Sequence, residues 1–241
     1  MLFKKIIFVL NLTCERLIKF IQLIRKCGYN MHLKIDFKRL VVGISFIVIS
    51  FETLAAHVAN TVILVYGDSL SAAYGIAQEQ GWVTLLQQRI LQQKPNYLVV
   101  NASISGETTS GGLSRLEKAL KQYQPTLILI ELGANDALRG LPIAEIRKNL
   151  EAMITISKKN KSKVILLGMK IPPNYGIKYT RNFQESYQIL ATQYKLPFVP
   201  FLLDGVAGNR ELNQEDGLHP LAKAEPVVLN NVWRVVKEVI K

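Results

Sequence analysis

From Thr61 onward the chain alternates between short runs of consecutive apolar residues and longer stretches in which apolar positions recur every three or four residues. The first kind predicts strands at Thr61–Tyr66, Tyr97–Asn101, Thr126–Leu132, Lys163–Met169 and Pro197–Pro200. The second predicts helices at about Trp82–Gln93, Leu113–Tyr123, Ile143–Lys159, Asn182–Tyr194 and Leu221–Ile240. Strands that are apolar throughout must be covered on both faces. Strand–helix alternation with right-handed crossovers then gives an α/β fold, a three-layer α/β/α sandwich around a five-stranded, mostly parallel sheet. No repeat or linker interrupts this stretch, so residues 60–241 are expected to form one domain. In such sheets ligands gather beyond the carboxyl ends of the strands, and the loops there come first in a search for chemistry.

Upstream the pattern changes. Leu40–Phe51 is a short apolar stretch preceded by Lys34, Lys38 and Arg39 and followed by Ala55, Ala56 and Ala59. It falls short of the roughly 20 residues that span a bilayer and has the layout of a signal peptide. Residues 1–59 are therefore expected to be a leader, with the signal peptide in 31–59. A second apolar and basic segment in 1–30 makes Met31 a candidate start. The expected location is exported, periplasmic or secreted, with a membrane anchor if the leader is retained.

Composition places the chain among globular proteins, with 49% hydrophobic and 20% charged residues. The net charge of +12 raises the question of a nucleic-acid partner. It is unevenly distributed: residues 1–59 hold 9 Lys and Arg against 3 Asp and Glu, a net of +6, and the rest of the chain carries the other +6 over three times the length. With no basic run or RNA-binding pattern in the body, that excess reads as a solvated face, and no nucleic-acid partner is expected. Cys14, Cys27, His32 and His57 all lie in the leader, so the body has no thiol and one imidazole, His219. That excludes a cysteine nucleophile, a Cys/His zinc site and a multi-histidine metal centre.

Three polar, glycine-containing loops follow the first three strands: Gly67-Asp68-Ser69-Leu70-Ser71, Asn101 to Glu107 with Gly106, and Gly133-Ala134-Asn135-Asp136. Each alone reads as a tight turn, but together they meet at one sheet edge. A serine hydroxyl needs a base to remove its proton, and His219 in Asp216-Gly217-Leu218-His219 is the imidazole available. Asp216, three residues earlier, is placed to hold one ring nitrogen while the other faces Ser69; Asp204 and Glu215 are rival orienters. Ser71 stands where a nucleophile elbow of the GxSxG type would have its second glycine, which argues against an ordinary α/β-hydrolase.

GDSL around Ser69, Gly106 after the second strand, GAND at Asn135 and DGLH at 216–219 resemble, in order and spacing, the SGNH or GDSL hydrolase family. Beyond these blocks, NASISGET, QYQP, ELGAND, LRG and PPNYG are similar to its bacterial TesA-type branch of thioesterase I, lysophospholipase L1 and arylesterase enzymes. The resemblance covers roughly Asn60 to Trp233. It implies the flavodoxin-like SGNH hydrolase fold, with Ser69 as nucleophile, His219 as base then acid, and Asp216 as its orienter. It implies an oxyanion hole from the amides of Ser69 and Gly106 and the side chain of Asn135, with no cofactor and no metal. Relatives often have glycine where this chain has Ala73 and Ala134. Asp68 and Asp136 are expected to fix loops, and Trp82 and Trp233 to lie in the core. Leu138–Ile143 and Met169–Gly176 are expected to wall an acyl cleft.

The implied function is a serine esterase and thioesterase acting on fatty-acyl or aryl/alkyl esters, lysophospholipids included, through an acyl-enzyme. The alternatives are a carbohydrate O-acetyl esterase and a non-catalytic exported lipid-binding protein. The expected partners are small acyl esters or thioesters and a lipid contact at a membrane surface, with the chain a monomer.

Overall fold

The consecutive apolar runs do form the sheet. The computed structural model describes residues 61–240, so the expected leader lies outside the described residues. Five strands, β1 (Thr61–Gly67), β2 (Tyr97–Asn101), β3 (Leu127–Glu131), β4 (Lys163–Leu167) and β5 (Phe198–Val199), pair in parallel in the order β2-β1-β3-β4-β5. This doubly wound, flavodoxin-like order reverses direction between β1 and β3, the place where such sheets open a crevice. The central strands are as buried as their composition requires: Ile63 to Tyr66 and Ile128 to Ile130 are fully inaccessible. Each such side chain contributes about 1.5–3 kcal/mol through loss of contact with water.

Edge strands depart from that pattern for local reasons. β2 is half-exposed despite its apolar run. β5 shrinks to two residues because Pro197 and Pro200 flank it, and Pro200 has no N–H to donate to the ladder.

The covering helices are α1 (Trp82–Leu91), α2 (Thr109–Tyr123), α3 (Ala134–Leu138), α4 (Ile143–Lys159), α5 (Ile177–Tyr194) and α6 (Glu225–Val239). α4 has the predicted bounds. α2 begins four residues before its expected start, because Thr108 caps it by accepting the Gly111 N–H at 3.1 Å. α5 begins five residues early, directly after Gly176, with Ile177 and Lys178 exposed so that no apolar stripe marks its first turn. α3, absent from the expectation, is a five-residue helix that starts inside the GAND motif. Trp82 is buried as expected, and Trp233 packs half-buried against the core under the Arg89 guanidinium.

Candidate active site

Ser69 sits in the turn that leaves β1, between two residues pinned from below. The Asp68 N–H donates to Glu131 Oε2 at 3.1 Å, and the Leu70 N–H donates to Asp68 Oδ1 at 3.1 Å. Farther along the turn, the Ser71 hydroxyl also donates to Glu131 Oε2, at 2.8 Å. Gly67 is needed here, since a Cβ would collide with Glu131 Oε2 and Ser71 Oγ. The turn continues through Ala73, which has a left-handed φ of 59°. That conformation suits a glycine better than the alanine present here.

The base comes from the far end of the chain. Residues 213–220 form a loop closed by an antiparallel bridge between Asn213 and Pro220, with Gly217 at φ 69° making the reversal. Asp216 Oδ1 accepts the N–H groups of Leu218 (2.9 Å) and His219 (3.0 Å), while Oδ2 takes His219 Nδ1 at 2.6 Å. With its Nδ1 proton directed at Asp216, the ring leaves Nε2 to accept from the Ser69 hydroxyl at 2.8 Å. Burial acts to raise the Asp216 pKa, but the His219 and Leu218 N–H groups and the imidazole outweigh it and hold the carboxyl below its usual range. Asp216 therefore stays ionised beside the ring. Neither rival orienter is hydrogen-bonded to the imidazole.

Gln214 clasps the two loops: its Nε2 donates to the carbonyls of Tyr74 (2.8 Å) and Pro220 (3.0 Å), and its N–H to that of His219 (2.8 Å). The Tyr74 ring lies against the imidazole, with centroids 4.6 Å apart. A second tie lies deeper, where the Trp82 N–H donates to Glu225 Oε2 at 2.7 Å and the indole N–H to Leu70 O at 3.1 Å.

Of the expected oxyanion donors, Ser69 and Asn135 line one cleft, and Gly106 does not. The N–H groups of Ser69 and Gly106 have no acceptor among the described residues. Gly106 has φ 78° and nothing within 4 Å of a would-be Cβ, so backbone conformation rather than protein crowding calls for glycine there. The Asn135 side-chain amide donates to Asp68 Oδ2 and to Glu107 O, both at 3.0 Å. Asp136 fixes the start of α2 by accepting the Thr109 N–H (2.8 Å) and hydroxyl (2.6 Å), so its loop-holding expectation holds.

A cleft of about 490 Å³ opens beside these groups. Ser69, Asn135 and His219 line it together with apolar side chains that include Leu138, Met169, Ile171, Pro172, Phe201 and Leu203, and with Lys170. Of the two expected walls, Leu138 and Met169 to Pro173 face the cleft, and residues 139–143 and 174–176 do not. Phe201 and Leu203, with Ala207 and Gly208, come from a stretch without a sequence signal. Glu131, Tyr74 and Gln214 were also missed. Glu131 had a visible signal, a single carboxyl in the otherwise apolar run TLILIEL. Among the described residues no group of three or more His, Cys, Asp or Glu is placed to hold a metal.

The doubly wound sheet, the Ser69–His219–Asp216 chain and the neighbouring donors define an acyl hydrolase of the SGNH type. Residues 65–225 match the GDSL-like Lipase/Acylhydrolase family, and the chain belongs to that family. Esterase TesA of Pseudomonas aeruginosa is 46% identical over 187 residues, which are 78% of this chain and 93% of that protein. Thioesterase 1/protease 1/lysophospholipase L1 of Escherichia coli K12 is 37% identical over 183 residues, 76% of this chain and 86% of that protein. The crystal structure of the psychrotrophic esterase EstA from Pseudoalteromonas sp., inhibited by monoethylphosphonate, is 41% identical with a TM-score of 0.71. It covers 75% of this chain and 98% of that one.

Proposed function

We propose that the protein hydrolyses carboxylic esters and thioesters with a fatty-acyl or small aryl/alkyl portion, lysophospholipids among them, through an acyl-enzyme on Ser69. The observation that carries this reading is the 2.8 Å approach of Ser69 Oγ to His219 Nε2 at the mouth of an apolar cleft. His219 takes the hydroxyl proton as Oγ attacks the acyl carbon, then gives it to the departing alkoxide or thiolate. Water enters on the same base, its proton passes to His219, and collapse of the second tetrahedral intermediate returns that proton to Ser69. Asp216 holds the ring and stabilises the imidazolium. The Ser69 and Gly106 amides receive the developing oxyanion, and Asn135 joins them by sharing an amide hydrogen with its present acceptors.

The lining favours acyl chains over sugars, because beyond the reacting groups it is mostly aliphatic, proline and phenyl surface, with one lysine, Lys170, among them. The names of the relatives, esterase and thioesterase/lysophospholipase, support the same substrates. We place the enzyme outside the cytoplasm, with residues 31–59 as its export signal, and read it as a monomer that meets its substrates at a lipid surface. No described helix is long and apolar enough to cross a membrane.

The test is a fluorophosphonate probe followed by peptide mapping: the adduct is expected on Ser69 and absent from Ser69→Ala. A panel of p-nitrophenyl acetate, p-nitrophenyl octanoate, lysophosphatidylcholine and acetylated xylan then ranks substrates. Preference for the acetylated polysaccharide would reverse the assignment to acyl chains.

A further inference from the structure

Under the nucleophile lies a carboxyl that this reaction scheme leaves unused. Glu131, the last residue of β3, is completely inaccessible. Its Oε2 accepts two donors, Asp68 N–H and Ser71 O–H, while Oε1 is buried with no partner among the described residues. Beside it is Asp68, only 1% exposed, whose Oδ1 and Oδ2 accept from the Leu70 N–H and the Asn135 amide. The two carboxyl groups approach closely enough to hydrogen-bond to each other. Neither belongs to an ion pair among the described residues.

Two adjacent buried carboxylates cannot both remain ionised, because desolvation and mutual repulsion add. One proton must therefore reside on the pair, and the hydrogen bonds decide where. Asp68 already receives an N–H donor on each oxygen, the arrangement that favours a carboxylate. Glu131 has an oxygen facing no donor, the one place where an acid O–H would satisfy a bond instead of breaking one.

We propose that Glu131 is a positioning residue that works as a neutral acid, donating its Oε1 proton to the Asp68 carboxylate and so fixing both the Ser69 turn and the Asn135 amide. Burial raises the Glu131 pKa well above the ordinary value, with the Asp68 charge adding to it, and burial lifts Asp68 to about 6. The ionisable groups that face the pair are few. Asp136 from α3 is held by Thr109, Tyr187 from α5 is kept a neutral phenol by burial, and His219 reaches Asp68 from the far loop. The pair thus presents a single negative charge, on Asp68, to the imidazolium that forms during acyl transfer, in addition to that of Asp216.

The kinetic consequences rest on Ser69 and His219 acting as proposed; the protonation state does not. In Glu131→Gln the amide N–H replaces the acid O–H and the carbonyl keeps both acceptor bonds. Its kcat is expected within about threefold of wild type, with the acid limb of the pH–rate profile unmoved. Glu131→Met keeps the volume and loses the network, and kcat is expected to fall by roughly 10- to 100-fold at nearly constant KM, since Glu131 does not line the cleft. A Glu131→Gln enzyme as impaired as Glu131→Met, or with its acid limb displaced to lower pH as removal of an anion would cause, overturns the proposal.

A measurement on the folded wild type decides the matter if the variants fail to fold. With ¹³C-labelled glutamate, a carboxylic-acid carbonyl band is expected in the infrared at pH 8 and retained in Glu225→Gln; its absence overturns the neutral acid. Fluorophosphonate labelling at Ser69 in the same preparations keeps a failure of the hydrolytic reading separate.

Discussion

The two loops that meet at the catalytic centre are built on opposite principles. The Ser69 turn is anchored downward, through Asp68 and Ser71 to Glu131 at the end of β3, where these three side chains are out of water and the two acids are pushed up in pKa. Within the 213–220 loop the Asp216–His219 turn is anchored on itself, with His219 and Asp216 side chains 18% and 39% exposed and Asp216 held below the usual carboxylate range. A nucleophile fixed to the sheet cannot be moved without disturbing the core, whereas a base organised by a four-residue turn carries its geometry with it. Ser69–His219, Gln214–Tyr74 and the Tyr74–His219 ring contact unite them, and Glu225–Trp82 joins the helices that follow them.

Removing the chemistry from each side gives the largest contrast. Ser69→Ala should lower kcat by roughly 10⁴-fold or more and abolish probe labelling. Asp216→Asn should cost roughly 10²- to 10⁴-fold while leaving the fold intact, because it alters the tautomer and charge of one loop alone. Rates and thermal unfolding measured on the same samples check both claims. A large loss of stability in Asp216→Asn would break the idea that this loop is self-contained.

Asn135→Ala is expected next, with kcat down by roughly 10²- to 10³-fold, about 2.7–4 kcal/mol, and KM little changed. It also frees Asp68 Oδ2, so the Ser69 side should lose stability as well as rate, unlike Asp216→Asn.

Stability against pH probes the deeper tie. Burial lifts Glu225 to about 7 from 4.5, opposed only in part by the Trp82 N–H. Because the folded value is raised, folding carries no penalty from this group below about pH 4.5. The penalty grows as pH rises and is complete above about pH 7, reaching at most about 3 kcal/mol. Glu225→Gln removes this titration. Its Tm relative to wild type, whatever the offset at pH 4.5, should therefore rise steadily up to pH 7 and then level. A pH-independent difference would show that Glu225 is ionised without strain, and that this tie resembles the exposed loop more than the buried turn.

The same contrast explains what the sequence could disclose. The central strands were legible because burial on both faces leaves no choice of composition, and DGLH because its hydrogen bonds run between neighbours in the chain. Glu131 acts on residues 60 and 63 positions away, and Gln214 on a carbonyl 140 away, partnerships that local pattern does not encode. The early start of α2 was hidden by Gly111 and Gly112 in its first turn, which disguise a helix set by the Thr108 cap and the burial of Leu116, Ala119 and Leu120.

The smallest predicted effect lies in the Ser69 turn and concerns strain. Ala73 and Ala134 look like one kind of departure from the expected family pattern, alanine for glycine, yet they occupy opposite conformations. Ala73 is left-handed, costing about 1–2 kcal/mol for an L-residue, partly offset by the roughly 0.5–1 kcal/mol by which glycine loosens the unfolded chain. Ala73→Gly should therefore raise stability by up to about 1 kcal/mol, or roughly 2–4 °C in Tm for a domain of this size, at unchanged kcat. Ala134 begins α3 in a right-handed helical conformation and is nearly buried at the cleft, so Ala134→Gly should cost about 1 kcal/mol. Opposite signs in the two melting curves are expected. Equal signs would mean that the buried carboxyls below the Ser69 turn do not hold Ala73 in a conformation it would otherwise avoid.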